Sequence, residues 1–502
     1  MKTYWGDLHN HCAVSYGEGT PQRALANARA HLDFCTVTGH AFWPDLPMDL
    51  AGQNAIIGMH LGGFAKLRHF WGDLLAALEA ANVPGSFVTL PSYEWHSMEY
   101  GDHNCYFDRH DPELLDAPDP GSLAATLAAS GRDFFMLPHH CAYQAGMRGT
   151  NWAHFDPVRS PLVEIFSNHG CGEADDAPYD YHHSMGPRVG ASMVRSGLLA
   201  GHRFGFYAST DSHDGYPGHY GHGITGVFAE RLDLPSLWAA LKARRTVAST
   251  GARFLVDASY GGAGIGESVR WAESVPFRLE VEGTAPVERI DLVEGAVGSA
   301  GVRVSRFPGP PTDSAFRPGR HKIKVECGWG RAGDVSDWRV EAHLRGGLLR
   351  DAQPCFRFSK YRPGEEEASE SILERDVEKA VWTCRAAANP AGMLGGTHFH
   401  AGGTQAVVLD ADLAEGASLV LRWGGGELRL SAADLAAGSV AVPSGGFGSP
   451  ALKVHRAVPE REFRTVLERP RHRPFAEGPG FAYFRIVQSD GQVAWPSPFF
   501  LD

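Results

Sequence analysis

The sequence contains no uninterrupted run of about 18 apolar residues, the length that a membrane-spanning helix requires. Its first residues, MKTYWGDLHNH, lack the apolar core of a secretory signal, so we expect no membrane contact and a cytoplasmic location. Cysteine is sparse: the 502 residues include 8 cysteines, none in a Cys-x-x-Cys pair. This spacing argues against a zinc–thiolate site or a disulfide framework and predicts reduced, mostly buried cysteines.

Basic residues are also fewer than acidic residues. There are 46 Lys and Arg residues against 58 Asp and Glu, which gives a formal net charge of −12. Proteins that bind nucleic acid without sequence preference usually present a basic face, so we expect no nucleic-acid partner. A small anionic substrate remains compatible with this charge, because a bound metal ion changes the local balance.

Histidine, in contrast, is concentrated in the first half of the chain. Of the 25 histidines, 19 lie at or before His222. An even spread would give roughly 11, and the excess points to metal or proton chemistry in this half.

The first half alternates short apolar runs with helical patterns. Strands are predicted at 4–8, 33–38, 86–93, 134–137, 162–166 and 204–209, and helices at 22–31, 63–81, 122–129, 189–200 and 234–243. This alternation favours an α/β barrel or a parallel sheet. After Arg253 the pattern changes to alternating strands separated by glycine, proline and aspartate, which is typical of an all-β sandwich. The change predicts two domains, 1–252 and 253–502.

Histidines and carboxylates follow the predicted strands of the first half, where those strands end. His9 and His11 stand two residues apart in HNH, so on an extended chain both project from one face. The other candidates are Glu18, His40, Glu94, His103, His139, Asp211 and His213. In a β/α barrel the carboxyl ends of the strands build the active site. Nine such donors are too many for one ion and predict two to three divalent ions of zinc, manganese or iron.

This set resembles the polymerase-and-histidinol-phosphatase (PHP) family of metal-dependent hydrolases, over residues 3 to about 250. The resemblance rests on HxH near the start, a strand-end histidine, a glutamate followed by a histidine, an LPH histidine and a late DxH. It implies an α/β fold, a distorted (β/α)7 barrel with a trinuclear metal centre. The all-β part of this chain would then form a β-sandwich-like C-terminal domain.

Carried over by position, the resemblance implies three metal sites. These are His9, His11, Glu94 and Asp211; Glu94, His103 and His139, with Glu94 bridging; and Glu18, His40 and His213. Two positions depart from the family pattern or vary within it. Gly39 stands where the family often has aspartate, and Glu18 stands where members vary between Asp, Glu and His.

Three further stretches resemble a PHP branch with a C-terminal β domain: VEIFSNHGCGE at 163–173, LKARRTVASTGARF at 241–254 and FRIVQSDGQVAWPSPFF at 484–500. Candidates for contact with substrate or for support of the ligands are His96, His140, Glu164, His169, His202 and Arg203. Glu164 and His169 fit a structural role equally well. The HFH at 398–400 copies the HxH spacing, but strand alternation explains it without a metal.

These observations predict an enzyme, a metal-dependent hydrolase that acts on a small phosphate ester. In this hypothesis a hydroxide that bridges two metals attacks phosphorus, and the catalytic residues are Glu94, Asp211 and His213. One alternative is hydrolysis of an amide, lactone or carboxylic ester by the same centre. Another is a non-catalytic ligand-binding or scaffold protein on a degenerate barrel. The expected partner is a small anionic molecule, and assembly into a homo-oligomer is left open.

Overall fold

A computed structural model of the chain describes residues 1–48, 53–177, 188–312, 315–331, 333–359, 362, 364–365, 367–387, 403–475 and 477–502. The histidine pair at 398–400 lies outside the described residues. The described part is a mixed α/β structure in which strands predominate. All eight cysteines are buried, as the sequence predicts.

Four of the described α-helices begin at a residue whose side chain caps the helix. The described α-helices are α1 Pro21–His31, α2 Asn54–Ala81, α3 Pro120–Ala129, α4 Val194–Leu199, α5 Leu234–Lys242, α6 Ala432–Ala437 and α7 Glu460–Phe463, with 3-10 turns at Trp152–His154 and Gly190–Ser192. The four capped helices are α1, α3, α5 and α6. Thr20 caps α1 by accepting a hydrogen bond from the Arg23 N–H at 3.1 Å. Proline at the first position of α1 loses no hydrogen bond, because that N–H has no helical partner.

Short strands dominate the first half. They are β1 Lys2–Asp7, β2 Phe34–Cys35, β3 Gly39–Phe42, β4 Val88–Thr89, β5 Ser92–Trp95, β6 His103–Phe107, β7 Phe134–Pro138, β8 Leu162–Ser167, β9 Gly170–Cys171, β10 Gly205–Ala208, β11 Ile224–Ala229 and β12 Thr246–Ser249.

Longer strands dominate the second half. They are β13 Leu255–Tyr260, β14 Ala263–Gly264, β15 Ser268–Val269, β16 Val275–Glu282, β17 Val287–Ala296, β18 Val302–Pro308, β19 Gly319–Trp329, β20 Val335–Cys355, β21 Ser371–Arg375, β22 Lys379–Ala387, β23 Thr404–Trp423, β24 Gly426–Ser431, β25 Val440–Pro443, β26 Pro450–Val454, β27 Val458–Pro459, β28 Arg464–His472, β29 Gly480–Gln488, β30 Val493–Pro496 and β31 Phe499–Leu501.

The strands of the first half divide among three sheets and form no closed barrel among the described residues. One sheet has the order β3-β5-β6-β7, another β10-β8-β9, and β4, β2, β1, β11 and β12 belong to a larger sheet. The predicted (β/α)7 barrel requires parallel strands with helical crossovers. Here β5, β6 and β7 pair antiparallel in succession, and a short loop rather than a helix joins β5 to β6. Parallel pairs remain between β1 and β2, β3 and β5, and β8 and β10.

One sheet extends across the predicted domain boundary at residue 252. Its order is β15-β31-β29-β30-β12-β11-β1-β2-β4, with β17 and β18 attached through β29. The junction is the antiparallel pair of β12 and β30, in which Ala248 lies opposite Trp495. The last strands of the chain therefore complete a sheet that begins with the first.

The remaining strands of the second half form two further sheets. A four-stranded sheet, β14-β13-β16-β28, packs on the shared sheet, where the Phe277 and Phe484 rings lie 5.8 Å apart. A nine-stranded sheet is built around the long strands β20 and β23. The described part of the second half thus consists mainly of strands, with the two short helices α6 and α7, where the sequence predicts an all-β structure. No helix among the described residues combines the length and the apolar character needed to cross a bilayer.

Buried charges join the two halves of the chain. Arg485 on β29 donates to both carboxylate oxygens of Glu173, at 2.9 and 3.0 Å, and to Asp291 Oδ2 at 2.8 and 3.0 Å. Glu173 also accepts hydrogen bonds from Tyr483 and Trp495. All three charged side chains are buried. Removing one member of such a group leaves uncompensated charge out of water.

We therefore expect Arg485→Gln to lower the free energy of unfolding by about 3 kcal/mol, since two buried carboxylates lose the cation that they share. Asp291 keeps Arg289 at 3.1 Å and Glu173 keeps Arg195 at 3.6 Å. The matched control is Arg278→Gln, where a half-exposed arginine pairs with the carboxylates of Asp257 and Glu468. Solvent screens those pairs, so the control should lose less than about 1 kcal/mol. Urea unfolding measures both, and equal losses would contradict the role given to Arg485.

Glu370 in the second half should make stability depend on pH. Its side chain is buried and accepts hydrogen bonds from Ser359 and from the Arg385 N–H, both at 3.3 Å. Burial raises the pKa of Glu370 from 4.5 to about 7. Between these values the folded protein keeps the proton that the unfolded chain releases, so stability falls as pH rises through this range, by up to about 3 kcal/mol.

Glu370→Gln keeps a neutral side chain at every pH, and we expect it to raise the melting temperature at pH 8 and leave it unchanged at pH 4. Glu273→Gln, at an exposed position, is the control and should change neither value. Thermal unfolding at the two pH values checks this. The same shift for Glu370→Gln at both would disprove the assignment.

Candidate metal centre

The HNH segment after β1 brings two imidazoles and a carboxylate together. The backbone at Asn10 bridges to Ser212, which fixes the extended segment against the loop after β10. His9 and His11 then project to one side, with their Nε2 atoms 3.2 Å apart. Asp211 Oδ1 lies 3.3 Å from His9 Nε2 and 3.0 Å from His11 Nε2. These three atoms form a nearly equilateral triangle, and the side chains are buried.

Glu94 on β5 is the second carboxylate of the cluster. The parallel pairing of β3 with β5 sets it beside His40. Its Oε2 lies 3.3 Å from His40 Nε2 and 3.5 Å from His11 Nε2, and its Oε1 lies 2.9 Å from His139 Nε2. Glu94 Oε2 is buried and makes no hydrogen bond with the described residues. An anionic oxygen in that position fits a cation better than it fits an empty space.

His40 and His213 form the side of the cluster nearest to solvent. Their Nε2 atoms are 3.2 Å apart, and Ser15 Oγ lies 2.9 Å from His40 Nδ1 and orients the ring. The Tyr16 ring stacks on His40 at 3.5 Å between centroids. His213 and Tyr16 are half-buried, whereas the other histidines of the cluster are buried.

A third part of the cluster contains Asp102 and Arg148. Arg148 is buried, contacts Asp102 Oδ2 through Nε at 2.8 Å, and lies 3.1 Å from His96 Nδ1. His96 Nδ1 is 3.4 Å from both Glu94 Oε1 and Asp102 Oδ2. Burial raises the pKa of Asp102, but Arg148 and His96 outweigh it and hold that pKa well below its usual range. Asp102 therefore stays ionised.

The second oxygen of Asp211 faces a different pair of imidazoles. Asp211 Oδ2 lies 2.8 Å from His169 Nε2 and 3.7 Å from His140 Nε2. On the opposite side of the cluster, His9 Nδ1 lies 3.0 Å from Glu164 Oε2. That contact leaves the other ring nitrogen of His9 directed at His11 and Asp211.

Burial keeps four of the imidazoles neutral. It lowers the pKa of His9, His40 and His140 well below the usual range, and that of His213 to about 4. His11 differs, because Asp211 and Glu94 outweigh burial and raise its pKa. Neutral imidazole offers a lone pair, which is the form that binds a metal.

The geometry fits a divalent ion. Two ligands at about 2.0–2.2 Å from one ion are separated by about 3.0–3.6 Å, the range of the contacts among His9, His11 and Asp211. Five groups of histidines and carboxylates have ligand atoms within 4.8 Å of one another. They are His9, His11 and Asp211; His11, His40 and His213; His40, Glu94 and His96; Glu94, Asp102, His139 and His140; and His140, His169 and Asp211.

Two of the nine predicted ligands lie outside these groups. Glu18 is exposed, and its backbone N–H rather than its side chain contacts His213, donating to the carbonyl oxygen at 2.7 Å. His103 Nδ1 lies 2.9 Å from the Gly101 carbonyl oxygen. In the pairing of β5 with β6, Glu94 lies opposite Asn104 and His103 lies opposite Trp95. His103 is therefore on the other face of the hairpin from Glu94.

The other candidates divide in the same way. His96, His140, Glu164 and His169 lie in the cluster, as their contacts above show. His202 stacks on Trp152, and Arg203 pairs with Asp502 and lies over Phe500. Neither has a contact with the cluster in the part of the chain that the structure describes.

The sequence reasoning did not single out Asp102 or Arg148. Asp102 directly precedes His103 in GDHNCYF, so the acidic neighbour of a candidate histidine was an available signal. Arg148 carries no such signal. It reaches the cluster because its N–H donates to the Met98 carbonyl at 3.0 Å, and because residue 148 adopts a left-handed φ of 70°.

Comparisons with known proteins leave the family open. No protein-family model matches the chain. An uncharacterized protein of Chlamydia trachomatis serovar D is 27% identical over 162 residues, which cover 29% of this chain and 26% of that protein. The chain thus matches about a quarter of that relative's length.

A solved structure of a two-domain protein from Bacteroides vulgatus, described as containing a predicted PHP-like metal-dependent phosphoesterase, was also found. It aligns with a TM-score of 0.32 and 16% identity over 61% of this chain and 85% of that chain. Similarity at this level carries no inference about fold or function.

We expect Glu94→Gln to reduce the metal content of the purified protein by about one equivalent or more, because the amide removes an anionic oxygen that faces several imidazoles. Glu79→Gln, an exposed change on α2, is the matched control and should leave the metal content unchanged. Inductively coupled plasma mass spectrometry after dialysis measures both. A folded Glu94→Gln protein with unchanged metal content would contradict the assignment.

Proposed function

We propose that the protein is a metal-dependent hydrolase of small phosphate esters, with its ions held by the histidines and carboxylates of the cluster. The observation that carries this proposal is the triangle of His9, His11 and Asp211, with Glu94 Oε2 beside it and without a hydrogen bond. Mixed imidazole and carboxylate donors of this kind suit zinc, manganese or iron(II). The proposed ligands are His9, His11, His40, Glu94, His139, Asp211 and His213.

Two of the ligating histidines are supported by a partner outside the triangle. Glu164 lies at Nδ1 of His9 and Ser15 lies at Nδ1 of His40, so the Nε2 atoms of both rings face the cluster. Such contacts fix the tautomer and the orientation of a ligating ring. When bound, divalent ions supply Lewis-acid catalysis and activate water. The residues of the chain hold the reacting groups in place and keep bulk water away.

The charge of the cluster supports an anionic substrate. Two divalent ions together with Arg148 would outweigh the negative charge of Glu94, Asp102, Asp211 and Glu164. A phosphate group would neutralise the excess, and pre-organised positive charge stabilises the charge that spreads over its oxygens in the transition state. A guanidinium already buried at the site costs no reorganisation when such a group binds.

The burial of the cluster supports a small substrate. His9, His11, His139 and Asp211 are at most 2% exposed, and half-buried His213 and Tyr16 mark the side nearest to solvent. A polymer backbone could not reach such a site without a broad groove. The net charge of −12 would also repel a long polyanion.

Small-substrate panels that release phosphate or a carboxylate test the proposal. We expect the metal-loaded protein to release phosphate. Asp211→Asn should lower kcat/KM more than about 100-fold, because a neutral amide replaces the carboxylate that lies beside both His9 and His11. Asp257→Asn, on the exposed surface of β13, is the control and should retain full activity.

The two panels separate the proposal from its alternatives. Release of a carboxylate without release of phosphate would point to a carbonyl hydrolase instead. Metal-loaded protein that turns over neither panel would contradict the proposed function. Full activity in a folded Asp211→Asn protein would contradict the site assignment.

A further inference from the structure

We propose that Asp211 bridges two metal positions and that its second oxygen, with His140 and His169, forms a further divalent-cation site. This inference rests on the proposed metal dependence of the protein. It adds a site that the PHP resemblance does not imply, since the carried-over sets include neither His140 nor His169.

The two oxygens of Asp211 face two separate pairs of imidazoles. Oδ1 lies 3.3 and 3.0 Å from the Nε2 atoms of His9 and His11, and Oδ2 lies 2.8 and 3.7 Å from those of His169 and His140. A carboxylate whose two oxygens face different pairs of imidazoles has the arrangement of a bridging ligand. Glu94 divides its oxygens similarly, between His40 and His11 on one side and His139 on the other.

An ion pair alone explains only part of this arrangement. His169 is close enough to Asp211 Oδ2 for a hydrogen bond, but His140 at 3.7 Å is not. The two rings meet edge to face with centroids 4.5 Å apart, and His140 Nε2 lies 3.7 Å from Asp211 Oδ2 and 3.9 Å from Asp102 Oδ2. The ligand atoms of His140, His169 and Asp211 all lie within 4.8 Å of one another, and all three side chains are buried.

The backbone at two of the three residues is in the left-handed region. His140 has a φ of 56° and Asp211 a φ of 48°, although neither is glycine. Such conformations are unfavourable for residues other than glycine and persist where the surroundings enforce them. At Asp211 the enforcing contact is its N–H, which donates to the His9 carbonyl at 2.7 Å. The strain thus falls on two residues that supply ligand atoms to the proposed site.

The donor set indicates the class of ion. Two imidazole nitrogens and one carboxylate oxygen suit zinc, iron(II), manganese or cobalt(II), and they disfavour calcium and magnesium, which prefer oxygen ligands. Three protein donors would also leave a position for water or substrate. Asp211 would couple this ion to the one held by His9 and His11.

Cobalt(II) titration of the chelator-stripped full chain tests the proposal, with absorbance and metal analysis as readouts. We expect His169→Ala and His140→Asn each to bind about one equivalent less than the unmodified protein, because each removes one of three donors. Asparagine tolerates the left-handed backbone at position 140. His69→Ala, an exposed change on α2, should bind as much as the unmodified protein.

Unchanged cobalt stoichiometry and affinity in both variants would mean that His169 only pairs with Asp211, and it would overturn the proposal. Loss of all cobalt from both folded variants would make the histidines positioning residues for Asp211, which also overturns it. Anomalous diffraction from cobalt-loaded crystals is the second readout. A peak among Asp211 Oδ2, His140 and His169 supports the site, and its absence beside an occupied His9–His11 position refutes it.

Neither measurement depends on turnover. Cobalt at this position in a protein that hydrolyses no phosphate ester would leave the site established and contradict the proposed function. Phosphate-ester hydrolysis with no cobalt at this position would support the proposed function and refute the further metal site.

Discussion

Glu94 and Asp211 place two carboxylates in the interior, and the surrounding structure has to stabilise them there. Both side chains are 2% exposed, and an uncompensated charge at such a depth costs several kcal/mol. The contacts that surround the two carboxylates come from several separate segments, namely those that end β1, β7 and β10 and those that carry β3 and β5. No single segment could supply all of these contacts, because each contributes one or two imidazoles. The proposed metal binding and the stability of this half of the molecule therefore depend on the same contacts.

Helix α2 shows how the surrounding fold adapts to the cluster. A Cβ atom at Gly39 would lie 2.4 Å from Leu67 Cδ1, and one at Gly63 would lie 2.4 Å from the Tyr16 ring. The lack of side chains at these positions lets α2 pack directly on β3 and on Tyr16, which in turn covers His40. A larger side chain at position 39 would require Leu67 on α2 to move. Ser15 contacts Nδ1 of the neighbouring His40.

Local signals in the sequence were sufficient for local structure. Short-range physics accounts for the Thr20–Pro21 start of α1, for the alternation that turns His9 and His11 to one side, and for the predominance of strands in the second half. The antiparallel set of β5, β6 and β7 was missed because no strand was predicted at 103–107, so helix α3 seemed to connect two consecutive parallel strands. His103 was predicted as a ligand from its place in the sequence pattern. A shift of one residue on a strand reverses the face of a side chain, and spacing cannot fix that register. Arg148 depends on contacts between two loops, which only the folded chain reveals.

The pairing of β12 with β30 has a consequence for how the chain acquires its structure during synthesis. Thr246–Ser249 and Val493–Pro496 are separated by almost half of the sequence, yet they are neighbours in one sheet. At ribosomal rates the earlier strand would wait roughly 10 to 50 s for its partner. Throughout that interval one edge of β12 stays open, with backbone groups that another nascent chain could capture. The histidine-rich half is thus made first but completed last, and its maturation in a cell would benefit from chaperones that shield the open edge.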